Sequence, residues 1–271
     1  MELEIWQLVM LFVVGCAAGF MNVLAGGGSL MTMPLMVFIG IQGPFANGTN
    51  RVAIFAQNVS AVVSFFRQGF SDFKLSLSLL ACALPGTLVG AWLGTNLRGR
   101  AFNWTLAVVI ITVLILMLWP KRGKKKQDEI LAEDTLIQLP DEDEDTVETF
   151  VPSRWRVVVT HFLMLLAGFY GGIIQAGVGF VFMAILHRVL GLDLVRVNMH
   201  KVFIIGGYTI IALSVFAWQG YVYWTAGICL AVGNSLGAWV GARFAVKRGE
   251  KAIRVVFTVA IFLMALRLMF M

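Results

Sequence analysis

Residues 19–51 read GFMNVLAGGGSLMTMPLMVFIGIQGPFANGTNR, an apolar stretch interrupted by three consecutive glycines. The run 5–24 before this break is long and apolar enough to cross a bilayer, and a second long run begins at residue 47. Glycine lets the backbone leave the helical conformation and approach another chain or a ligand closely. The stretch therefore predicts a membrane helix, a break, a short apolar segment over 29–42 and a further membrane helix.

The composition of the whole chain is typical of membrane proteins. Of its 271 residues, 59% are hydrophobic and 13% are charged, and the mean hydropathy is +0.85. A soluble domain has roughly 45–50% apolar and about 25% charged residues. A water-soluble enzyme is therefore excluded, and we predict an all-α, polytopic integral membrane protein.

Eight apolar runs reach the length of about 20 residues that a spanning helix needs. They are 5–24, 47–66, 75–96, 101–119, 155–175, 199–218, 222–245 and 252–270. Two shorter stretches, 29–42 and 178–191, follow glycine clusters, and each is either a short crossing or a re-entrant half-helix. We predict a first transmembrane repeat over 1–119, a charged loop over 120–154 and a second transmembrane repeat over 155–271.

The two predicted repeats match in sequence at a nearly constant offset. Asn47 pairs with Asn198 at an offset of 151, and the register continues to Gly86 and Gly237. Upstream the offset is 149, which pairs Gly28 with Gly177. Matched glycines in one register indicate an internal duplication, although shared membrane composition is the alternative explanation.

Charge counting favours inverted over parallel repeats. Seventeen Lys and Arg residues remain when the four inside or bordering spans are left out. If the short stretches cross the membrane, fifteen of these residues lie on one side of it and two on the other. If the stretches do not cross, the numbers are nine and eight. The first division obeys the positive-inside rule. We therefore predict inverted repeats in the inner (cytoplasmic) membrane of the cell, with a cytoplasmic central loop and both termini outside.

Inverted repeats with glycine-broken segments are typical of secondary transporters, whose binding sites lie at the broken helices. In the first repeat the break is Gly26-Gly27-Gly28, and in the second it contains Gln175 and Gly177. Free backbone N–H groups at such breaks can bind an anion. The alternative is that these glycines only permit close helix packing.

Each repeat also carries a polar segment at the start of the next membrane helix. These segments contain Asn47, Thr49, Asn50 and Arg51 in the first repeat, and Asn198, His200 and Lys201 in the second. The cations either reach out to lipid headgroups or supply charge to a polar cavity. Because two near-equivalent cations lie beside the breaks, we favour the cavity, with the amide, hydroxyl and imidazole groups as donors to an anion.

Further polar residues lie deeper in the same helices. Gln57 and Asn58 match Tyr208 and Thr209, and they are either substrate ligands or hydrogen bonds between helices. The spacing of the cysteines suits neither a metal nor a disulfide. We predict no metal, no cofactor and no catalytic residue, and the charge pattern does not indicate nucleic-acid binding.

The glycine and asparagine motifs resemble those of the sulfite exporter TauE/SafE family of membrane permeases. The resemblance rests on Gly19–Pro34 and on Ala46-Asn-Gly-Thr-Asn-Arg-Val, with a degenerate copy around 175–180 and 197–202. Gly26, Gly27, Gly28, Thr49 and Asn50 fall on the family's motif positions. The resemblance implies transport of sulfite, sulfonates or other small sulfur-containing anions.

We therefore predict a secondary permease for sulfite or an organosulfonate that works by alternating access between the two repeats. No ATP-binding motif is present, so transport would be driven by an ion gradient or by the gradient of the substrate. The alternatives are a transporter of another small organic anion, such as a carboxylate, or a passive anion channel. The expected partners are the anion and membrane lipids, and a homodimer remains open.

Overall fold

The computed structural model describes residues 3–41, 43–70, 72–97, 99–102, 104–106, 108 and 154–269. Most of the predicted helix over 101–119 and nearly all of the predicted loop over 120–154 lie outside these residues. The regular structure of the described residues is entirely helical. This confirms the all-α prediction.

The helices with defined bounds follow one another along the chain in this order. They are α1 (Ile5–Ala25), α2 (Ser29–Phe38), α3 (Pro44–Phe66), α4 (Phe73–Thr95), α5 (Arg154–Ile173), α6 (Val178–Ala184), α7 (Leu194–Trp218) and α8 (Trp224–Met269). A π-helical turn over Ile185–Val189 extends α6. Within the described residues, α1, α4, α5, α7 and the first part of α8 are long and apolar enough to cross a membrane. The chain is therefore a multi-pass membrane protein.

Local sequence accounts for the helix ends. Asp193 caps α7, because its carboxylate accepts hydrogen bonds from the backbone N–H groups of Val195 at 2.9 Å and Arg196 at 3.0 Å. Pro44 occupies the first turn of α3, where its missing N–H costs nothing. Gly26 ends α1 in the left-handed conformation, with φ of 84°.

The structure departs from the predicted spans at α8. The runs 222–245 and 252–270 were expected as separate helices, but α8 continues from Trp224 to Met269 without a break. Its length is about 69 Å, more than twice the hydrocarbon core of a bilayer. The segment between the two runs contains no proline and only one glycine, Gly249, so nothing in its local sequence ends the helix.

Glycine ladders on α8 and α4 pack closely against α1 and α5, respectively. A Cβ atom on Gly237 of α8 would lie 1.9 Å from the carbonyl oxygen of Cys16 in α1. A Cβ atom on Gly90 of α4 would lie 2.1 Å from the carbonyl oxygen of Phe169 in α5. The glycines of these ladders therefore serve close helix packing.

Contacts along the helices give their relative directions. Along α8, Gly233 and Gly241 meet Phe12 and Phe20 of α1 in the same order, so α1 and α8 are parallel. The order of contacts along each pair also shows that α3 is parallel to α8, and that α4 is parallel to both α5 and α7. In contrast, α3 and α7 are antiparallel, since Asn58 meets Gly206 whereas Gly48 meets Phe216.

Candidate functional site

The two glycine breaks meet in the interior. Gly26 follows α1 and Gly179 lies in the first turn of α6, and a Cβ atom on either would come within 2.4 Å of the other's backbone. Gly177 adopts a left-handed conformation, with φ of 70°, immediately before α6. Gly27 and Gly28 are buried, and a Cβ atom on Gly28 would meet the carbonyl oxygen of Ala18 at 2.4 Å. Close backbone packing is thus one role of these glycines.

Arg51 is completely buried and bonds to the C-terminal end of α5. Its guanidinium donates to the carbonyl oxygens of Gly171 at 3.1 Å and Gly172 at 2.6 Å. It also donates to Gln175 Oε1 at 3.1 Å and to Asn47 Oδ1 at 3.3 Å. Every one of these acceptors is neutral. Arg51 therefore faces the protein interior rather than lipid headgroups.

Lys201 makes the equivalent contacts at the C-terminal end of α1. Its ammonium donates to the carbonyl oxygens of Asn22 at 3.0 Å and Val23 at 2.8 Å. A third hydrogen bond, of 2.8 Å, goes to Asn198 Oδ1. The side chain is 1% exposed, so it too faces inward. All three ammonium donors are used.

Both cations thus stabilise the end of a helix that comes from the other half of the chain. The last carbonyl groups of a helix have no partner within it, and they carry a partial negative charge of roughly half an elementary charge. Arg51 on α3 satisfies the end of α5, and Lys201 on α7 satisfies the end of α1. A cation was predicted beside each break, but the pairing across halves was not.

The Arg51 cluster consists of Asn47, Arg51, Gln175, Tyr208 and Phe216. Asn47 Nδ2 donates to the carbonyl oxygen of Ile173 at 2.7 Å, and Gln175 Nε2 donates to the Tyr208 hydroxyl at 3.2 Å. The guanidinium carbon of Arg51 lies 4.6 Å from the centre of the Phe216 ring. The structure therefore brings three predicted site residues, Asn47, Arg51 and Gln175, into one buried group.

Asn50 and Thr49 extend from this region toward other helices. Asn50 accepts a 2.7 Å hydrogen bond from the Thr32 hydroxyl and donates to Ser29 Oγ at 3.2 Å, both on α2. Thr49 Oγ1 accepts a 2.9 Å hydrogen bond from the backbone N–H of Tyr223. Their side chains hold α3 against its neighbours, and both are fully buried.

Two predicted residues form separate pairs away from the cations. The Nδ1 atom of His200 lies 2.7 Å from the Ser76 hydroxyl on α4. Gln57 Oε1 accepts a 3.0 Å hydrogen bond from Asn234 on α8. Neither residue is bonded to the Arg51 or Lys201 groups, and Gln57 here connects two helices.

Several buried polar atoms have no hydrogen-bond partner in the described part of the chain. They are Arg51 Nε, Gln57 Nε2, Asn198 Nδ2, Thr209 Oγ1 and Asn234 Oδ1. Such atoms are rare in folded proteins, and each is explained by strain, by function or by a bound water or ion. Three of the five belong to predicted site residues.

Sequence reasoning missed the residues that complete these groups. Asn22 accepts a 3.3 Å hydrogen bond from the N–H of Gly28 through its side chain and bonds Lys201 through its backbone. Ser29, Thr32 and Asn234 were also overlooked as partners. The available signal was their polarity within apolar runs, where an unpaired polar group is costly. Among the described residues, no group of His, Cys, Asp and Glu has the arrangement of a metal site.

Comparison with known proteins gives one matching family and several full-length relatives. The family model described as Sulfite exporter TauE/SafE matches residues 11–268. The chain is 29% identical to a probable membrane transporter protein, ORF9, of Sinorhizobium sp, over 99% of this chain and 94% of the relative. It is 25% identical to the probable membrane transporter protein YfcA of Escherichia coli K12, over 97% and 90%. No solved structure matches the chain significantly.

Proposed function

Because the chain belongs to the sulfite exporter TauE/SafE family of membrane transporters, we propose that it is a secondary permease for a small sulfur-containing anion. Sulfite or an organosulfonate is the proposed substrate, and the inner membrane of the cell is the proposed location. The family description supports sulfite, and the relatives' names support membrane transport.

The uncompensated charge of Arg51 carries this proposal, and Lys201 has similar surroundings. Both side chains are buried, and the hydrogen-bond acceptors around them are all neutral. Within the described residues the only ion pair joins Arg196 to Asp193. A helix end offsets roughly half a charge, so a net positive charge remains at Arg51. A buried charge is costly unless it is paired, and a small anion is the partner that would pair it.

The Arg51 cluster is the proposed substrate site. Among the described residues Arg51 Nε is a donor without a partner, whereas the three donors of Lys201 are all used. The four Nη hydrogens bond to neutral acceptors, so Nε–H is the donor left for one oxygen of a small oxyanion. Gln175 and Asn47 place amide groups beside the guanidinium. In this proposal Lys201 mainly stabilises the end of α1.

Alternating access between two inverted repeats is the proposed mechanism. The helix directions support it, because the matched helices α1 and α5, α3 and α7, and α4 and α8 belong to opposite directional sets. Arg51 and Lys201 are equivalent connections between the repeats. If the hydrogen bonds of one cation break while those of the other persist, the interior would open toward one side of the membrane. The reverse change would open it toward the other side.

The test is the thermal stability of the purified protein against sulfite, sulfate, small sulfonates and matched carboxylates. A ligand at a thousand times its Kd stabilises the folded state by about 4 kcal/mol. We expect stabilisation by sulfite or one sulfonate and none by the carboxylate of the same size. Stabilisation by carboxylates alone would contradict the sulfur-anion assignment.

Uptake into proteoliposomes then separates a carrier from a channel. A carrier that alternates between two states saturates with substrate and shows counterflow, in which substrate on one side accelerates labelled substrate from the other. We expect both properties. Flux that rises linearly with concentration and shows no counterflow would identify a passive anion channel instead.

A further inference from the structure

A groove between α3 and α8 opens on the surface that faces lipid. It encloses about 610 Å³ and includes Ala56 and Ser60 on α3, and Ile228 and Leu236 on α8. Ile228 and Leu236 are more than half exposed. The Ser60 hydroxyl donates to the carbonyl oxygen of Ser235 at 2.9 Å, so the two helices are bonded together beneath the groove.

The groove lies within the membrane-spanning part of α8, and its length is about half the thickness of the hydrocarbon core. Its lining on α8 runs from Ile228 to Trp239, which is about 16 Å of helix. Half of the hydrocarbon core of a bilayer is about 15 Å thick. Trp239 lies eight residues before Lys247, where the apolar span Trp224–Lys247 ends, so the groove runs into the hydrocarbon from the end of the span near Arg243.

Two arginines lie at this end of the groove. The guanidinium carbons of Arg67 and Arg243 lie 5.3 Å and 4.8 Å from the centre of the Trp239 ring. Both side chains are exposed, and neither has a carboxylate within ion-pair distance in the part of the chain that the structure describes. Each guanidinium is thus held beside Trp239 by a cation–π contact, where its exposed N–H groups can bind a phosphate.

We propose that this groove binds one anionic phospholipid. One acyl chain lies along Ala56, Ile228 and Leu236, and the phosphate contacts Arg67 and Arg243 beside Trp239. Because α3 and α4 are joined by a short connection and α4 is parallel to α5, this end lies on the same side as the start of α5. On the topology proposed above this is the cytoplasmic leaflet, which is rich in anionic lipids.

Native mass spectrometry of the purified protein with phosphatidylglycerol and with phosphatidylcholine of the same acyl chains tests the proposal. We expect preferential retention of phosphatidylglycerol by the wild type. The double variant Arg67→Gln/Arg243→Gln should bind it about thirtyfold more weakly, since each basic residue at a surface contributes about fivefold. Equal retention of the two lipids, or unchanged affinity in the double variant, would overturn the proposal.

Two further variants and one competitor test its parts. Ala56→Phe fills the groove and should weaken both lipids, whereas Lys74→Gln removes an exposed cation near the same end and should change neither. Inorganic phosphate should not displace the lipid, because it has no acyl chain. Displacement by millimolar phosphate, or no effect of Ala56→Phe, would indicate a simple anion site and contradict the groove.

Discussion

Arg51 and Lys201 carry the same charge, but their hydrogen bonding differs. Lys201 uses every donor on backbone and amide oxygens, whereas Arg51 keeps Nε without a partner in the described residues. Arg51 also lies against the Phe216 ring. This difference is why we assign substrate contact to Arg51 and helix-end stabilisation to Lys201.

Arg51→Gln should abolish anion-dependent stabilisation. Removing one partner of a buried charge pair costs about 2–5 kcal/mol, which corresponds to at least about a thirtyfold loss of affinity. Thermal stability measured with and without sulfite gives the shift for each variant. Lys201→Gln should lower the thermal stability of the unliganded protein. Its effect on the sulfite-induced shift should be smaller.

Lys74→Gln provides the matched control, because Lys74 is an exposed cation on α4. It should leave both quantities unchanged. If Arg51→Gln does not fold, Arg51→Lys keeps the charge and loses the Nε–H donor, so its sulfite response should be weakened. An undiminished sulfite shift in a folded Arg51 variant would remove Arg51 from the substrate site.

Gln57 and Asn234 are predicted to form an energetically coupled pair. Their side chains are buried and joined by a 3.0 Å hydrogen bond, so truncating one leaves the other without its partner. Each single change to alanine should cost about 1–3 kcal/mol of unfolding free energy. The double variant should cost less than the sum, as measured in a double-mutant cycle. Strict additivity, or a loss of transport without a loss of stability, would favour substrate contact by Gln57.

At the scale of elements, the glycine ladders determine how closely the helices approach. Gly90→Ala places a methyl group 2.1 Å from a backbone carbonyl of α5, and backbone atoms of packed helices move with difficulty. We expect a loss of about 1–3 kcal/mol in thermal or denaturant unfolding. Gly207→Ala is the comparison, because its nearest neighbour is the flexible end of Leu80. An equal cost for both changes would show that helix propensity, rather than the close approach, dominates.

At the scale of the whole molecule, the helix directions predict a topology. Asn96 follows the end of α4, and Arg188 precedes the start of α7, which is parallel to α4. Cysteines introduced at these two exposed positions, in a protein lacking Cys16, Cys82 and Cys229, should therefore be labelled from opposite sides of the membrane. Labelling with an impermeant maleimide in intact cells and in inverted vesicles measures this. Access from the same side would refute inverted repeats.

The sequence by itself determined the membrane class, the places of most helices and the family. Hydropathy over about 20 residues is a local property, and so are the glycine and asparagine motifs on which the family resemblance rests. The same local signals put Arg51 and Lys201 beside the breaks. The continuous α8 is the exception. Hydropathy divides 222–270 into two runs, but the charged residues between the runs are compatible with a helix and do not end it.

Only the tertiary structure decided what the buried polar groups bond to. Arg51 reaches carbonyl groups 120 and 121 residues further along the chain, and Lys201 reaches carbonyl groups 179 and 178 residues earlier. Such partners depend on which helices pack together and in which direction, and spacing along the chain carries no record of either. For the same reason, only the packing of α3 against α8 shows the hydrogen bond between Gln57 and Asn234. The same packing brings Arg67 and Arg243 to the ring of Trp239.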